Sequence, residues 1–198
     1  MSVFLRDFDV GEHTRILDVG GTAGTWSSAV VPKATIVLLN TLRAATESFA
    51  PGFHCVEGDG CLLPFRDKSF DIVFSNSVIE HVGPADAQAR FASEVARVGK
   101  GYWVQTPNRY FPVETHLLTP LVHWLPKHWS AWLIRRFTLW AFIHRPNEGD
   151  KIWYIEHFLN DIRLCTCGDL RSWFPGAAVR KERFLLLTKS LIAVKKNG

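Results

Sequence analysis

RILDVGGTAGTWSS, residues 15–28, joins a short apolar run to a glycine-rich turn, and its reading decides the fold. Ile16, Leu17 and Val19 suit a buried strand, and Asp18 falls near its carboxyl end, where strands of open α/β sheets meet ligands. Gly20, Gly21 and Gly24 let the backbone turn sharply and approach a ligand closely, because a Cβ there clashes or forbids the required φ/ψ. Thr25 to Val30 can begin a helix whose free N–H groups face the same crevice. Strand, glycine turn and helix in this order begin a nucleotide-type or cofactor-type site.

Working outward, the chain repeats that alternation. Residues 1–14 leave room for a turn or a short helix, not for a separate domain or a large lid. Residues 34–39 (ATIVLL) form a β-branched strand ending at Asn40, and residues 41–49 have helical composition up to the breaker Pro51-Gly52. Residues 53–56 make a short third strand and FDIVFS, residues 70–75, a fourth. Pro84 to Val98 reads as an amphipathic helix, with Ala87, Phe91, Val95 and Val98 spaced by three or four, stopped by Gly99-Lys100-Gly101 ahead of a fifth strand at 102–105. Such an order predicts a doubly wound α/β sheet of mostly parallel strands. The alternation lapses over 107–160, which holds five of the eight tryptophans and prolines at 107, 112, 120, 126 and 146. This stretch reads as a helical insertion after strand five. A helix at 167–174 and strands at 177–184 and 190–194 complete one domain over residues 1–198.

With 198 residues, 47% of them hydrophobic, the chain can bury a full core. A formal charge of +4 permits an anionic partner but lacks the clustered Lys/Arg of a nucleic-acid binder, so no nucleic-acid partner is expected. Cys55, Cys61, Cys165 and Cys167 form no CxxC pair and have no histidines at zinc spacing, which points to reduced thiols in a cytoplasmic protein and to no metal site. The N-terminal residues have no long apolar region, and no run of roughly 18 residues is free of charge or strong polarity. Neither a secretion signal nor a membrane span is expected.

Four stretches together carry a family resemblance: ILDVGGTAG at 16–24, EGDGCLLPF at 57–65, FDIVFSNSVIEHV at 70–82 and QTPN at 105–108. The chain resembles the class I S-adenosylmethionine-dependent methyltransferases, in the small-molecule branch that shares the LPF and FDxVxSxxxxEH signatures. The resemblance covers residues 14–108 strongly and 167–195 by element order. It implies a Rossmann-like sheet of seven strands with a reversed last strand. It also implies transfer of a methyl group from S-adenosylmethionine to a small or lipophilic acceptor. By the same resemblance, Asp18, Gly20, Gly21 and Gly24 lie along the amino-acid end and ribose of the cofactor. Asp59 then takes the adenine amino group with Gly60 and Cys61 beside the ring, and Ser75 and Asn76 meet the ammonium group. A sulfonium cofactor with an ammonium, a diol and an adenine needs carboxylates or carbonyls, a close backbone and an apolar slot, so these residue types suit it.

Two positions depart from the family pattern. Thr22 stands where glycine is usual, and Asn40 stands where an acid is usual, 40 − 20 = 20 positions after Gly20. An asparagine accepts from one ribose hydroxyl but loses the charge-assisted bidentate hold, which predicts weaker cofactor binding by about 1–2 kcal/mol. A non-catalytic binding protein on the same sheet therefore stays an alternative. A nicotinamide-dependent oxidoreductase is disfavoured, because GGTAG lacks the third glycine of GxGxxG.

Methyl transfer needs proximity and, for a protonated nucleophile, a base. His81 is the first candidate because imidazole titrates near neutrality, and His116 is the second. Alternatively, Glu80 and His81 fix the loop after strand four, and His116 is structural. Trp103, Arg109 and Tyr110 are the candidate acceptor contacts around the end of strand five. Within 117–145 all charges are basic, and Trp129, Trp132, Leu133, Phe137 and Trp140 recur at helical spacing. Such a stripe can close over the cofactor as a lid, bind a lipid-linked or other apolar acceptor, or lie in a membrane interface as a peripheral contact.

Overall fold

The computed structural model describes residues 1–27, 34–41, 52–114, 119–137, 147, 149, 152 and 162–196. Its sheet is built from β1 (Arg15–Val19), β2 (Thr35–Asn40), β3 (Phe53–Glu57), β4 (Phe70–Asn76) and β5 (Gly99–Pro107). A two-stranded ladder of β6 (Val113–Glu114) and β7 (Thr119–Pro120) stands apart, and β8 (Ala178–Phe184) and β9 (Leu187–Lys195) return to the main sheet. The order is β3-β2-β1-β4-β5-β9-β8. β1 pairs parallel with both β2 and β4, which explains why its side chains beyond Arg15 are all buried. β9 runs antiparallel to both β5 and β8 and is the reversed last strand. This is the expected Rossmann-like seven-stranded sheet.

Alternation along the strands divides the apolar residues between two faces. On one face, Leu17, Val19, Val73 and Val104 pack against Phe91, Val95 and Val98 of helix α3 (Ala85–Val98). On the other, Ile16, Ile72, Phe74 and Trp103 meet Phe4 of α1 (Ser2–Asp7) and Trp26 of α2 (Ala23–Ser27). Phe74 and Trp103 stack with ring centroids 5.0 Å apart, and Phe4 meets Phe74 edge-on at 4.9 Å. Deleting so buried a ring as Phe4 costs about 3–5 kcal/mol, which makes the N-terminal helix part of the core.

The structure changes several sequence boundaries. α3 passes into β5 without a loop, because the chain is already extended at Gly99. A Cβ at Gly99 would stand 2.6 Å from the Gly101 carbonyl oxygen and 2.7 Å from Val73, so only glycine fits this junction. The helix after β1 starts at Ala23, not Thr25, and its expected end and nearly all of the helix expected at 41–49 lie outside the described residues. The stretch after β5 carries, besides β6 and β7, a short 3-10 turn (Val122–Trp124) and α4 (Lys127–Phe137). α5 (Cys167–Trp173) precedes β8 and carries a capping box, in which Thr166 and Asp169 satisfy each other's backbone N–H groups. On α4, Trp129 and Trp132 are exposed, whereas Ser130 is buried and donates its hydroxyl to the Val122 carbonyl at 2.7 Å. The tryptophan stripe therefore faces solvent at these two positions, while Ser130 anchors the helix. Trp140 lies outside the described residues.

Candidate active site

At the carboxyl ends of β1, β2 and β3 lies a cleft of about 750 Å³. The turn after β1 forms its floor. Gly20 has φ 78, and a Cβ there would stand 2.5 Å from Val78. At Gly21 a Cβ would fall 1.7 Å from the Asp18 carboxylate, so that side chain occupies the space a larger residue would need. Thr22 adopts no positive φ, which is why a residue other than glycine is accommodated within the turn. Gly24 has room for a Cβ, its nearest neighbour being the Thr22 hydroxyl at 3.7 Å.

Asp18 is 1% exposed and sits beneath this turn. Its Oδ2 accepts a 2.7 Å hydrogen bond from the indole N–H of Trp26, and its buried Oδ1 has no partner among the described residues. Burial pushes the carboxyl up to about 7, against the opposing effect of the Trp26 bond. Asn40 lines the cleft at the end of β2. Its side-chain N–H donates to the Gly21 carbonyl at 2.9 Å, leaving the amide oxygen as its acceptor. An aspartate could not make this bond when ionised, so Asn40 clamps the turn in a way the usual acid would not.

Asp59, Gly60 and Cys61 form the opposite wall. Asp59 caps its own turn, accepting from the Cys61 N–H at 2.8 Å, and remains exposed to the cleft. The Cys61 thiol donates to the Ala87 carbonyl at 3.4 Å. Burial, followed by the neighbouring Asp59 carboxylate, raises its pKa, which keeps it a thiol near neutrality. The LPF stretch does not line the cleft but holds this wall. Leu63 N–H donates to Glu94 at 2.7 Å, and Arg97 donates to the carbonyls of Leu63 at 3.0 Å and Phe65 at 2.8 Å.

The Glu80-His81 pair divides its work. Glu80 is fully buried, accepts from the Thr106 hydroxyl at 2.9 Å, and its backbone carbonyl takes the Arg163 N–H. Gln88 closes the same turn by donating to the Ile79 carbonyl at 2.9 Å. His81 instead lines the cleft, with Nε2 4.0 Å from the Glu80 carboxylate. Ser75 is fully buried and donates to the Val19 carbonyl at 3.1 Å, tying β4 to the end of β1. Asn76 and Trp103 line a second hollow of about 300 Å³ beside the ends of β4, β5 and β9, together with Glu182 and Lys189. Arg109 and Tyr110 are exposed just beyond β5, and His116 lies outside the described residues. Sequence reasoning missed Thr41, Leu62 and Arg90 in the cleft wall. Arg90 lies on the polar side of a helix whose period was legible, but only the tertiary fold turns that side to the cleft.

Residues 17–101 match the family model described as methyltransferase domain. The matched segment runs from β1 into β5 and takes in less than half of the chain. A stretch of 54 residues is 41% identical to an uncharacterized protein of Mycobacterium tuberculosis, covering 27% of this chain and 18% of that protein. The matched stretch thus spans less than a fifth of that curated relative. Among solved structures, the YcgJ protein of Bacillus subtilis is similar over 100% of this chain and 98% of its own, with a TM-score of 0.51 and 16% identity. Human N-acetylserotonin methyltransferase, solved in complex with S-adenosylmethionine, is similar over 97% of this chain and 50% of its own, with a TM-score of 0.53 and 13% identity. At these identities the two structures show a shared fold.

Proposed function

We propose that the protein transfers the methyl group of S-adenosylmethionine to a small acceptor, with residues 1–198 as one domain and 107–160 as its acceptor-side insertion. The observation that carries this reading is the buried Asp18 oxygen without a partner beneath a turn that only glycine can make at positions 20 and 21. An orphaned buried acceptor is costly unless a donor arrives, and the cofactor's ammonium group is such a donor. Asn40 would hold a ribose hydroxyl through its amide oxygen, and Asp59 would accept from the adenine amino group with Gly60 and Cys61 along the ring. Ser75 would keep the end of β1 in place, while Asn76 would present its backbone toward the ammonium side. When bound, the cofactor supplies an electrophilic methyl carbon on a sulfonium.

The chain's own contribution to chemistry is positioning and one proton transfer. His81, at the cleft wall beside buried Glu80, takes the proton of the acceptor's nucleophile at an imidazole nitrogen. Trp103 and Asn76, which line the second hollow, and Arg109, Tyr110 and His116 in the chain after β5 would contact the acceptor. The small-molecule acceptor of the human N-acetylserotonin enzyme supports an acceptor of similar size, and a lipophilic or lipid-linked molecule fits the tryptophan-rich surface of α4. Incubation with methyl-labelled cofactor and a panel of small and lipophilic acceptors tests the reading. Label appears in an acceptor together with S-adenosylhomocysteine, and His81→Ala lowers turnover by about 10²–10⁴-fold with little change in cofactor KM. Full turnover by His81→Ala would remove it as the base, and no labelled acceptor with a bound cofactor would favour the non-catalytic alternative.

A further inference from the structure

The turn between β8 and β9 exposes four consecutive large apolar side chains. Phe184, Leu185, Leu186 and Leu187 are 59%, 84%, 91% and 50% exposed. Phe184 and Leu187 face each other in register, so Leu185-Leu186 is a two-residue hairpin loop. Leu185 holds φ 54, a left-handed conformation that such loops normally give to glycine or asparagine. A leucine there costs backbone strain without burial in return, since its side chain is exposed. Polar loop residues would be cheaper on every count.

A second apolar surface is exposed after β5. Leu121, Trp124, Leu125, Trp129 and Trp132 are all exposed on the 3-10 turn and α4. Two consecutive residues link the segments that carry the two surfaces: Asn108 bonds the backbone of Thr188 and Lys189 at 2.9 Å each, and the Arg109 carbonyl accepts from the Trp124 indole at 2.9 Å. The charges that the sequence places in both segments are mostly basic. The sequence has no acidic residue from 115 to 147, where Lys127, Arg135, Arg136 and Arg145 occur. Lys181, Arg183 and Lys189 flank the hairpin tip without an ion-pair partner among the described residues, against the single acid Glu182. Exposed leucines and tryptophans on two linked segments whose sequence is rich in cations are complementary to an anionic lipid bilayer, whose interface takes leucine and indole while its headgroups take the cations.

We infer that the hairpin tip Phe184–Leu187 and the exposed face at 121–132 form one peripheral membrane-docking surface for anionic lipid. It needs no turnover and no bound cofactor, so its failure and that of the methyltransferase reading are separable. Sedimentation of the full chain with phosphatidylcholine vesicles, with and without phosphatidylglycerol, tests it. The wild-type protein pellets with the anionic vesicles, less so at high salt. Leu185→Asp/Leu186→Asp weakens the partitioning by about tenfold or more, since two leucines lose their burial. Trp129→Ala/Trp132→Ala also weakens it. All altered side chains are exposed, so each variant keeps the wild-type melting temperature. No pelleting of the wild type, or equal pelleting of wild type and both variants, would overturn the inference. So would a wild-type dimer, by light scattering, that the leucine changes dissociate, since that would assign the face to a second copy of the chain.

Discussion

Asp18 joins the sequence motif to a measurable electrostatic consequence. In an unfolded chain its carboxyl titrates at about 3.9, and burial raises it to about 7 in the fold. Between those values the unfolded chain has released a proton that the folded chain keeps. The folded state therefore loses stability as the pH climbs from about 4 to about 7, with the loss complete above that range. A cationic ammonium beside Asp18 favours the ionised form. We expect the affinity for S-adenosylhomocysteine to rise between about pH 6 and about pH 8, and Asp18→Asn to weaken binding by about tenfold and flatten that rise. Calorimetric titrations of both proteins check this, and equal pH slopes would contradict it. Asn40 and Thr22 read differently once placed. The sequence presents both as losses from a family pattern, whereas the structure shows Asn40 holding the Gly21 carbonyl and Thr22 in ordinary backbone space.

At the level of elements, α3 does more than cover the sheet. Its Glu94 and Arg97 hold the loop that carries Asp59 to Cys61 into β4, and Arg97 also bonds Asp67 at 2.8 Å. Arg97 donates to Glu94 at 2.7 Å as well, so Arg97→Ala removes a cation shared by two carbonyls and two carboxylates. We expect a loss of about 1–3 kcal/mol in a urea unfolding titration, with weaker binding of the proposed cofactor because the Asp59–Cys61 wall loosens. Unchanged stability would show that solvent replaces these bonds. The helix itself was legible from Ala87, Phe91, Val95 and Val98, because a period of 3.6 reports which residues are buried. Periodicity does not report which partner an apolar stripe meets. Trp129 and Trp132 share the helical spacing of core residues yet face solvent, and Trp103, read as an acceptor contact, is stacked in the core with its edge at the second hollow.

Over the whole molecule, the alternation of strands and glycine turns carried the sheet order and the place of the cleft, since strand ends and turns are set by local chemistry. The tie of Asn108 to Thr188 beside the hairpin and the bond from Thr106 to buried Glu80 depend on contacts between distant segments, which no local pattern encodes. Among the described residues no helix is long and apolar enough to cross a membrane. The cleft and the exposed apolar segments both involve loops at the carboxyl ends of the parallel strands, an arrangement in which a docked bilayer would lie near the proposed acceptor side. The proposed activity depends on the cleft being a methyl-donor site. Isothermal titration of the full chain with S-adenosylhomocysteine tests that claim most directly. We expect saturable binding at one site per chain, lost in Asp18→Ala; no heat at about millimolar ligand, where even weak specific binding is detectable, would contradict it.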